Sequence, residues 1–165
     1  MPFQIEPITA AEARQILKWR YEPPFDFYNP PEAMNVAPLV AQFLDPDNGF
    51  FSVRDENYRF IGFCSFGADG QVAGGTYEPG PLDIGLGMKP DVTSQGKGQT
   101  FVAAILAFAQ RHFKPTRLRL SVAKFNARAI RVYQKAGFVE TREFLEIPSG
   151  KPHLVMEYSL DHAVT

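Results

Sequence analysis

The glycine-containing run Gln95-Gly96-Lys97-Gly98-Gln99-Thr100 has the clearest chemical potential in the sequence. It lies between a predicted strand at 82–88 and a predicted helix at 99–113. Glycine lets the backbone approach a ligand closely, and the amides and dipole of a helix start attract an anion. The run therefore predicts a phosphate site, although the requirements of the turn alone also explain two glycines.

Two common nucleotide-binding patterns do not fit this run. A Walker loop needs glycine where Asp91 stands and serine or threonine where Gly98 stands. A dinucleotide-binding fingerprint that begins at the first glycine of the run needs glycine or alanine in place of Phe101, and one that begins at Gly85 meets Pro90. These departures argue against an NTPase and against a nucleotide-dependent dehydrogenase.

A second motif block extends from Asn126 to Phe138 with the pattern Asn-x-x-Ala-x-x-x-Tyr-x-x-x-Gly-Phe. Gln95, Gly98 and Thr100 fit the pattern Gln/Arg-x-x-Gly-x-Gly/Ala except for the threonine in the last place. Together the two blocks resemble the GNAT superfamily of N-acetyltransferases. The stretch Asp-Ile-Gly-Leu at 83–86 resembles the Glu-Ile-Gly-Tyr of relatives of the ribosomal-protein N-terminal acetyltransferases. The resemblance is strongest over 82–140.

The resemblance implies that acetyl-CoA is the cosubstrate and lies where two central parallel strands separate. Met88, at the end of the predicted strand 82–88, would pair with the pantetheine arm, and such an amide can polarise the thioester carbonyl. Asn126 would cap its helix, contact the cofactor through water, or do both. The residues expected to hold the pyrophosphate through backbone amides are Gln95, Gly96, Lys97, Gly98, Gln99, Thr100 and Phe101.

The same resemblance assigns catalytic roles. Tyr133 matches the tyrosine that protonates the leaving CoA thiolate, and its alternative role is to pack its ring in the core. Asp83 is the first candidate for the base that deprotonates the amine, and its alternative is a surface carboxylate on the sheet. Some relatives carry a glutamate where this chain has Ser121. Glu78, Glu22 and Asp26 are further candidates, and a water chain can replace any single base.

An aromatic and proline-rich loop at 21–31, called the aromatic loop below, falls where this family covers the acceptor end of its cleft. Tyr21, Asp26 and Tyr28 are the predicted substrate-binding residues. Acidic side chains attract a cationic amine, and aromatic faces hold a cation with about 0.5–2 kcal/mol. The alternative is a proline-braced loop that packs its rings against the sheet.

The pattern of elements predicts how these residues are positioned. Apolar periodicity gives the order strand, helix, helix, three strands, helix, strand, helix and two strands, which predicts an α/β (α+β) fold with a mixed sheet flanked by helices. Thr9 and Glu12 form a capping box for a helix that reaches Arg20. Asn29 or Glu32 is expected to cap the second helix, which Pro38 would break or kink. Asn126 and Gly137 are expected to bound a later helix.

Composition restricts the class of protein. A length of 165 residues fits one N-acetyltransferase domain over 1–165, and a net charge of -1 argues against nucleic-acid binding. Three scattered histidines and one cysteine predict no metal site, and no apolar run of about 20 residues predicts a membrane span. With a first segment unlike a signal peptide, these features predict a cytoplasmic protein, monomeric or homodimeric.

The function that follows is transfer of an acetyl group from acetyl-CoA to a primary amine of a small molecule or peptide, by direct attack in a ternary complex. The alternative is a non-catalytic acyl-CoA-binding regulatory module that keeps the glycine turn without turnover.

Overall fold

The computed structural model describes residues 3–93 and 95–160, so the ends of the predicted domain lie outside the described residues. Within them the chain forms seven β-strands and four α-helices. In chain order these are β1 Gln4–Pro7, α1 Ala10–Leu17, α2 Ala37–Leu44, β2 Phe50–Arg54, β3 Phe60–Phe66, β4 Leu82–Met88, α3 Gly98–Phe113, β5 Arg117–Ala123, α4 Ala127–Ala136, β6 Val139–Leu145 and β7 Pro152–Ser159.

The strands form one sheet in the order β1-β2-β3-β4-β5-β7-β6. β4 and β5 are parallel, with Leu82 opposite Leu118 and Asp83 opposite Arg119. The pairs β1–β2, β2–β3, β5–β7 and β7–β6 are antiparallel. The predicted mixed α/β sheet with helices is therefore confirmed. Among the described residues no helix has both the length and the apolar character needed to cross a membrane.

The described residues form two compact units. The first contains residues up to 65 together with 86–97, and the second contains 66–85 together with residues from 98 onward. In the first unit Ile8, Ile16 and Trp19 form a buried cluster. The Trp19 ring stacks on Phe60 with 5.7 Å between centroids. Trp19 is therefore a core residue.

Cys64 is fully buried in the first unit. Burial raises the pKa of its thiol far above the ordinary value, because the thiolate would lose its hydration. A thiol held in this state is a poor nucleophile.

The capping box of α1 forms as expected. Glu12 N–H donates to Thr9 Oγ1 at 3.2 Å, and Thr9 N–H donates to Glu12 Oε1 at 3.0 Å. The predicted extension to Arg20 is wrong, because the helix ends at Leu17. The Arg20 guanidinium instead donates to the carbonyl of Leu17 at 3.2 Å and to that of Trp19 at 2.6 Å, so it satisfies acceptors at the helix end.

The predicted caps of α2 are also wrong. The helix begins at Ala37, whose N–H donates to Asn35 Oδ1 at 3.1 Å, and Pro38 falls in its first turn, so it does not interrupt the helix. Proline is tolerated there because the first-turn amides have no partner within the helix. Asn29 closes the aromatic loop, since its Oδ1 accepts from Tyr21 N–H at 2.7 Å.

In the second unit the bounds of α3 and α4 agree closely with the sequence. The apolar face of α3 is buried at Phe101, Ile105 and Ala109. α4 ends at Gly137, whose φ of 113° is unfavourable for a residue with a Cβ. An added Cβ would meet the Tyr158 ring at 2.5 Å, so glycine is needed there for space as well as for conformation.

Candidate active site

Three residues of the glycine turn, Gln95, Gly96 and Lys97, belong to the first unit. Gly96 has a φ of 73°, a left-handed conformation that glycine adopts without strain. The Gln95 side chain donates to the carbonyl of Asp91 at 3.1 Å and so stays within its own turn. These contacts explain the shape of the turn, and the predicted cofactor contacts of the three residues stay predictions.

The first turn of α3, in the second unit, comprises Gly98, Gln99, Thr100 and Phe101. Gln99 and Thr100 are exposed, whereas the Phe101 side chain is buried. A Cβ at Gly98 would lie 3.3 Å from the Val132 side chain of α4, a tight contact. The glycine thus lets the start of α3 lie close to α4, at a helix start that favours a bound anion.

The motif block on α4 also lies within the second unit. Asn126 Oδ1 accepts from Ala129 N–H at 3.1 Å, which confirms its capping role, whereas its predicted contact with the cofactor stays a prediction. Tyr133 is 8% exposed, and its ring meets Phe138 edge-on at 6.1 Å between centroids. The packing alternative is thus realised for the ring, and the predicted role of the hydroxyl as an acid stays open.

Asp83, the first candidate base, lies in a buried ion pair. Arg119 Nε and Nη2 donate to Asp83 Oδ1 at 2.5 Å and Oδ2 at 2.9 Å, and Gln71 Nε2 donates to Oδ2 at 2.8 Å. The exposed fraction is 1% for the Arg119 side chain and 6% for that of Asp83. The hydrogen bond with Asp83 raises the pKa of Arg119, so the guanidinium stays charged. This environment favours a structural role for Asp83.

Glu78, the second candidate base, lies on the loop before β4 and is 53% exposed. Its carboxylate lies 3.6 Å from Arg119 Nη1 and 3.4 Å from Arg142 Nη1. A hydrogen bond from its own backbone amide lowers the pKa of Glu78, and both arginines lower it further. A carboxylate with a lowered pKa is a weaker base, so Glu78 is not well suited to deprotonate an amine.

The structure adds a hydroxyl pair that the sequence analysis missed. Tyr77 Oη lies 2.7 Å from Ser121 Oγ and accepts from Val72 N–H at 2.9 Å. The Arg119 guanidinium lies over the Tyr77 ring at 5.1 Å from its centroid. No local pattern identifies this contact, because Tyr77 belongs to an irregular loop and Ser121 to β5.

Within the first unit the structure brings together Tyr21 and Met88, which the sequence assigned to different subsites. Tyr21 Oη donates to the Met88 carbonyl at 2.6 Å. Burial raises the pKa of Tyr21 from 10.0 to about 12, because the phenolate would lose its hydration. Beyond Met88, Lys89 N–H donates to the carbonyl of Ile61 on β3 at 2.8 Å. The end of β4 is therefore held by hydrogen bonds on both sides of one peptide group.

The other predicted acceptor residues, Asp26 and Tyr28, lie in a short 3-10 turn at Phe25–Tyr28 and are both exposed. The rings of Phe27 and Tyr28 meet edge to face at 5.4 Å between centroids. These side chains are accessible to a ligand, as contact with an acceptor amine requires, and their role in binding the substrate stays a prediction.

An open groove of about 490 Å³ lies elsewhere in the first unit, and no predicted site residue lines it. The groove lining consists of Arg14, Leu17, Lys18, Arg20, Pro31, Glu32, Ala33 and Val36.

In the part of the chain that the structure describes, no group of three His, Cys, Asp or Glu side chains is placed to hold a metal ion.

Comparison with known proteins identifies the family and the fold. The family described as "Acetyltransferase (GNAT) domain" matches residues 3–139. The spermidine N-acetyltransferase from Vibrio cholerae in complex with CoA and spermine is 17% identical, with a TM-score of 0.74 over 96% of this chain and 95% of that one. No curated protein matches the sequence.

Two chimeras of the spermidine N-acetyltransferase SpeG from Vibrio cholerae and hSSAT are also similar. One is 18% identical with a TM-score of 0.76, and the other is 20% identical with a TM-score of 0.71. Each alignment covers 96% of this chain and 96% of the chimera. At this identity the likeness shows the fold.

Proposed function

The chain belongs to the GNAT family of acetyltransferase domains, and from this premise we propose that it transfers an acetyl group from acetyl-CoA to a primary amine. The observation that carries the proposal is the family match over residues 3–139, which includes the glycine turn, β4 and the whole Asn126–Phe138 block. The whole chain would act as one N-acetyltransferase domain. The amine attacks the thioester carbonyl directly, a C–N bond forms, the C–S bond breaks, and CoA leaves as a thiolate.

The pyrophosphate of acetyl-CoA is assigned to the backbone amides from Gln95 to Phe101. One observation supports a close approach of a ligand: Gly96 is left-handed, and the space where its Cβ would lie is open. The dipole of α3, which is 16 residues long, adds a partial positive charge at its start. Met88 at the end of β4 is assigned to the pantetheine arm.

Tyr133 is assigned as the acid that protonates the CoA thiolate. Its ring is fixed by packing on Phe138, which limits the positions of its hydroxyl. General acids of this kind contribute about 10²- to 10⁴-fold to the rate. Tyr133→Phe keeps the ring and removes the acid, so the expected result is a loss of kcat in this range with unchanged acetyl-CoA affinity.

Removal of the amine proton is assigned to water rather than to Asp83 or Glu78. Arg119 and Gln71 already donate to both Asp83 oxygens, and arginines flank Glu78. A water chain requires no protein side chain as the base. The rate of acetyl transfer then follows the fraction of the acceptor amine that is neutral. The rate is therefore expected to rise with pH towards the pKa of the acceptor amine.

Two acceptor classes are favoured by separate observations. The structural neighbours are named spermidine N-acetyltransferases, and a polyamine fits an exposed loop that carries Asp26 and Tyr28. The Asp-Ile-Gly-Leu stretch at 83–86 favours instead the N-terminus of a peptide, as in the ribosomal-protein N-terminal acetyltransferases. Both classes present a primary amine, so the reaction is the same.

Calorimetry with acetyl-CoA, followed by CoA release with spermidine, spermine and a short peptide, tests the proposal. The short peptide contains no lysine, and its matched control is the same sequence with an acetylated N-terminus, which has no primary amine. Binding with amine-dependent release is the expected result. Binding with no release by any amine would favour the non-catalytic acyl-CoA-binding module. Absence of binding would refute the assignment of the glycine turn.

A further inference from the structure

One peptide group at the end of β4 is held from two directions. The carbonyl of Met88 accepts from Tyr21 Oη at 2.6 Å, and the N–H of Lys89 donates to the Ile61 carbonyl at 2.8 Å. The peptide unit is planar, so its C=O and N–H turn together. The two bonds therefore fix the orientation of the peptide plane between residues 88 and 89.

Packing restricts the same strand end further. A Cβ at Gly87 would lie 2.6 Å from Phe63 Cε1, so the backbone of β4 is seated directly on the Phe63 ring. With the ring on one side and β3 hydrogen-bonded to Lys89, the strand end has little room to shift. The Tyr21 hydroxyl is the one link in this set that comes from the aromatic loop.

Tyr21 is itself held at its backbone. Its N–H donates to Asn29 Oδ1 at 2.7 Å, which closes the loop over residues 21–29. Its phenol is partly buried and keeps its proton well above neutral pH, so it remains a donor throughout the range in which an enzyme works. The one proton of the hydroxyl is therefore committed to Met88, and the Oη lone pairs are all that the hydroxyl can still offer to another group.

We propose that Tyr21 is a positioning residue of the acyl-CoA subsite, whose hydroxyl orients the Met88–Lys89 peptide for the pantetheine arm, and not an acceptor contact. The inference rests on the proposed function, in which acetyl-CoA binds along the end of β4. It replaces the assignment of Tyr21 as a substrate-binding residue and leaves Asp26 and Tyr28 as the residues proposed to bind the acceptor amine.

The test compares Tyr21→Phe with Tyr58→Phe. The first variant keeps the ring and removes only the hydroxyl on Met88. The second removes a tyrosine hydroxyl elsewhere in the same unit, where Tyr58 Oη donates to Glu6 Oε1 at 2.7 Å. The measurements are the Kd for acetyl-CoA by calorimetry, the KM for each substrate and the melting temperature.

For Tyr21→Phe we expect acetyl-CoA affinity to fall about two- to tenfold, the range for one lost hydrogen bond, with the KM of the amine unchanged. Tyr58→Phe should leave both values unchanged. An increase confined to the KM of the amine, equal effects of the two variants, or unchanged acetyl-CoA affinity would each overturn the proposal.

Two controls complete the design. If the wild type itself binds no acetyl-CoA, the proposed function fails, whereas wild-type turnover with an unaffected Tyr21→Phe variant refutes the positioning role alone. Should Tyr21→Phe not fold, Asn29→Ala releases the loop closure and keeps the phenol. This variant is then expected to weaken acetyl-CoA binding without changing the KM of the amine, and unchanged binding would overturn the proposal.

Discussion

Replacing Asp83 by asparagine distinguishes a structural carboxylate from a catalytic base. The change keeps the shape of the side chain and removes its charge, which leaves Arg119 buried opposite a neutral group. Breaking a buried ion pair by removing one partner costs about 3–5 kcal/mol. Because a Glu78 oxygen still lies 3.6 Å from Arg119 Nη1, we expect the lower end of the range, about 3 kcal/mol.

Urea unfolding measures this loss directly. With a slope of about 2 kcal/mol per molar urea, a loss of about 3 kcal/mol lowers the midpoint by about 1.5 M. CoA release is then measured well below the unfolding transition, at saturating substrates. If a water chain accepts the proton, turnover of the folded Asp83→Asn variant should stay within about tenfold of the wild type.

The double variant Asp83→Leu/Arg119→Met is the matched control. It removes both charges, and the replacement of a buried pair by apolar residues of similar volume is often neutral or stabilising. We therefore expect the double variant to recover most of the lost stability. The reasoning would be refuted if Asp83→Asn kept the wild-type urea midpoint and lost about 10²-fold or more in turnover, because that result identifies a base.

Three further outcomes are expected. Gly137→Ala should lower the free energy of unfolding by about 1–3 kcal/mol in urea titration, because of its φ of 113° and the Tyr158 ring. Asn126→Ala should cost about 1 kcal/mol in the same assay, and Asn126→Asp, which keeps the oxygen that accepts from Ala129 N–H, should cost less. Tyr21 has a folded-state pKa of about 12 against 10.0 for the free side chain, so its contribution to stability is fully present below pH 10 and lost as the pH rises towards 12. Urea midpoints across pH 9–12 should therefore fall more steeply for the wild type than for Tyr21→Phe, and parallel curves would contradict this.

The elements that the sequence predicted well are those with local signals at both ends. α4 begins after the Asn126 cap and ends at Gly137, and both residues act through contacts within a few positions. The capping box at Thr9 and Glu12 is local in the same way. The errors, by contrast, fall at the end of α1 and the start of α2. There Arg20 donates to carbonyls at the end of α1, and Asn29 accepts from Tyr21 N–H instead of capping α2.

The parts of the candidate site that were missed depend on pairs distant in the chain. Tyr21 and Met88 are 67 positions apart, and Asp83 and Arg119 are 36 apart. Their residue types were visible in the sequence, and Asp83 and Met88 were singled out. No periodicity or spacing, however, indicates that a phenol will meet one particular carbonyl or that a guanidinium will bind one particular carboxylate.

The burial of Cys64 has a practical consequence for assays on this protein. A thiol-reactive dye that detects released CoA will meet no reactive thiol on the folded chain, because Cys64 is the one cysteine in the sequence and is fully buried. The background signal should therefore be close to zero with intact enzyme. On unfolding, the same side chain becomes a stoichiometric reporter, so the rate of dye labelling in the absence of substrates follows how often the chain opens around β3.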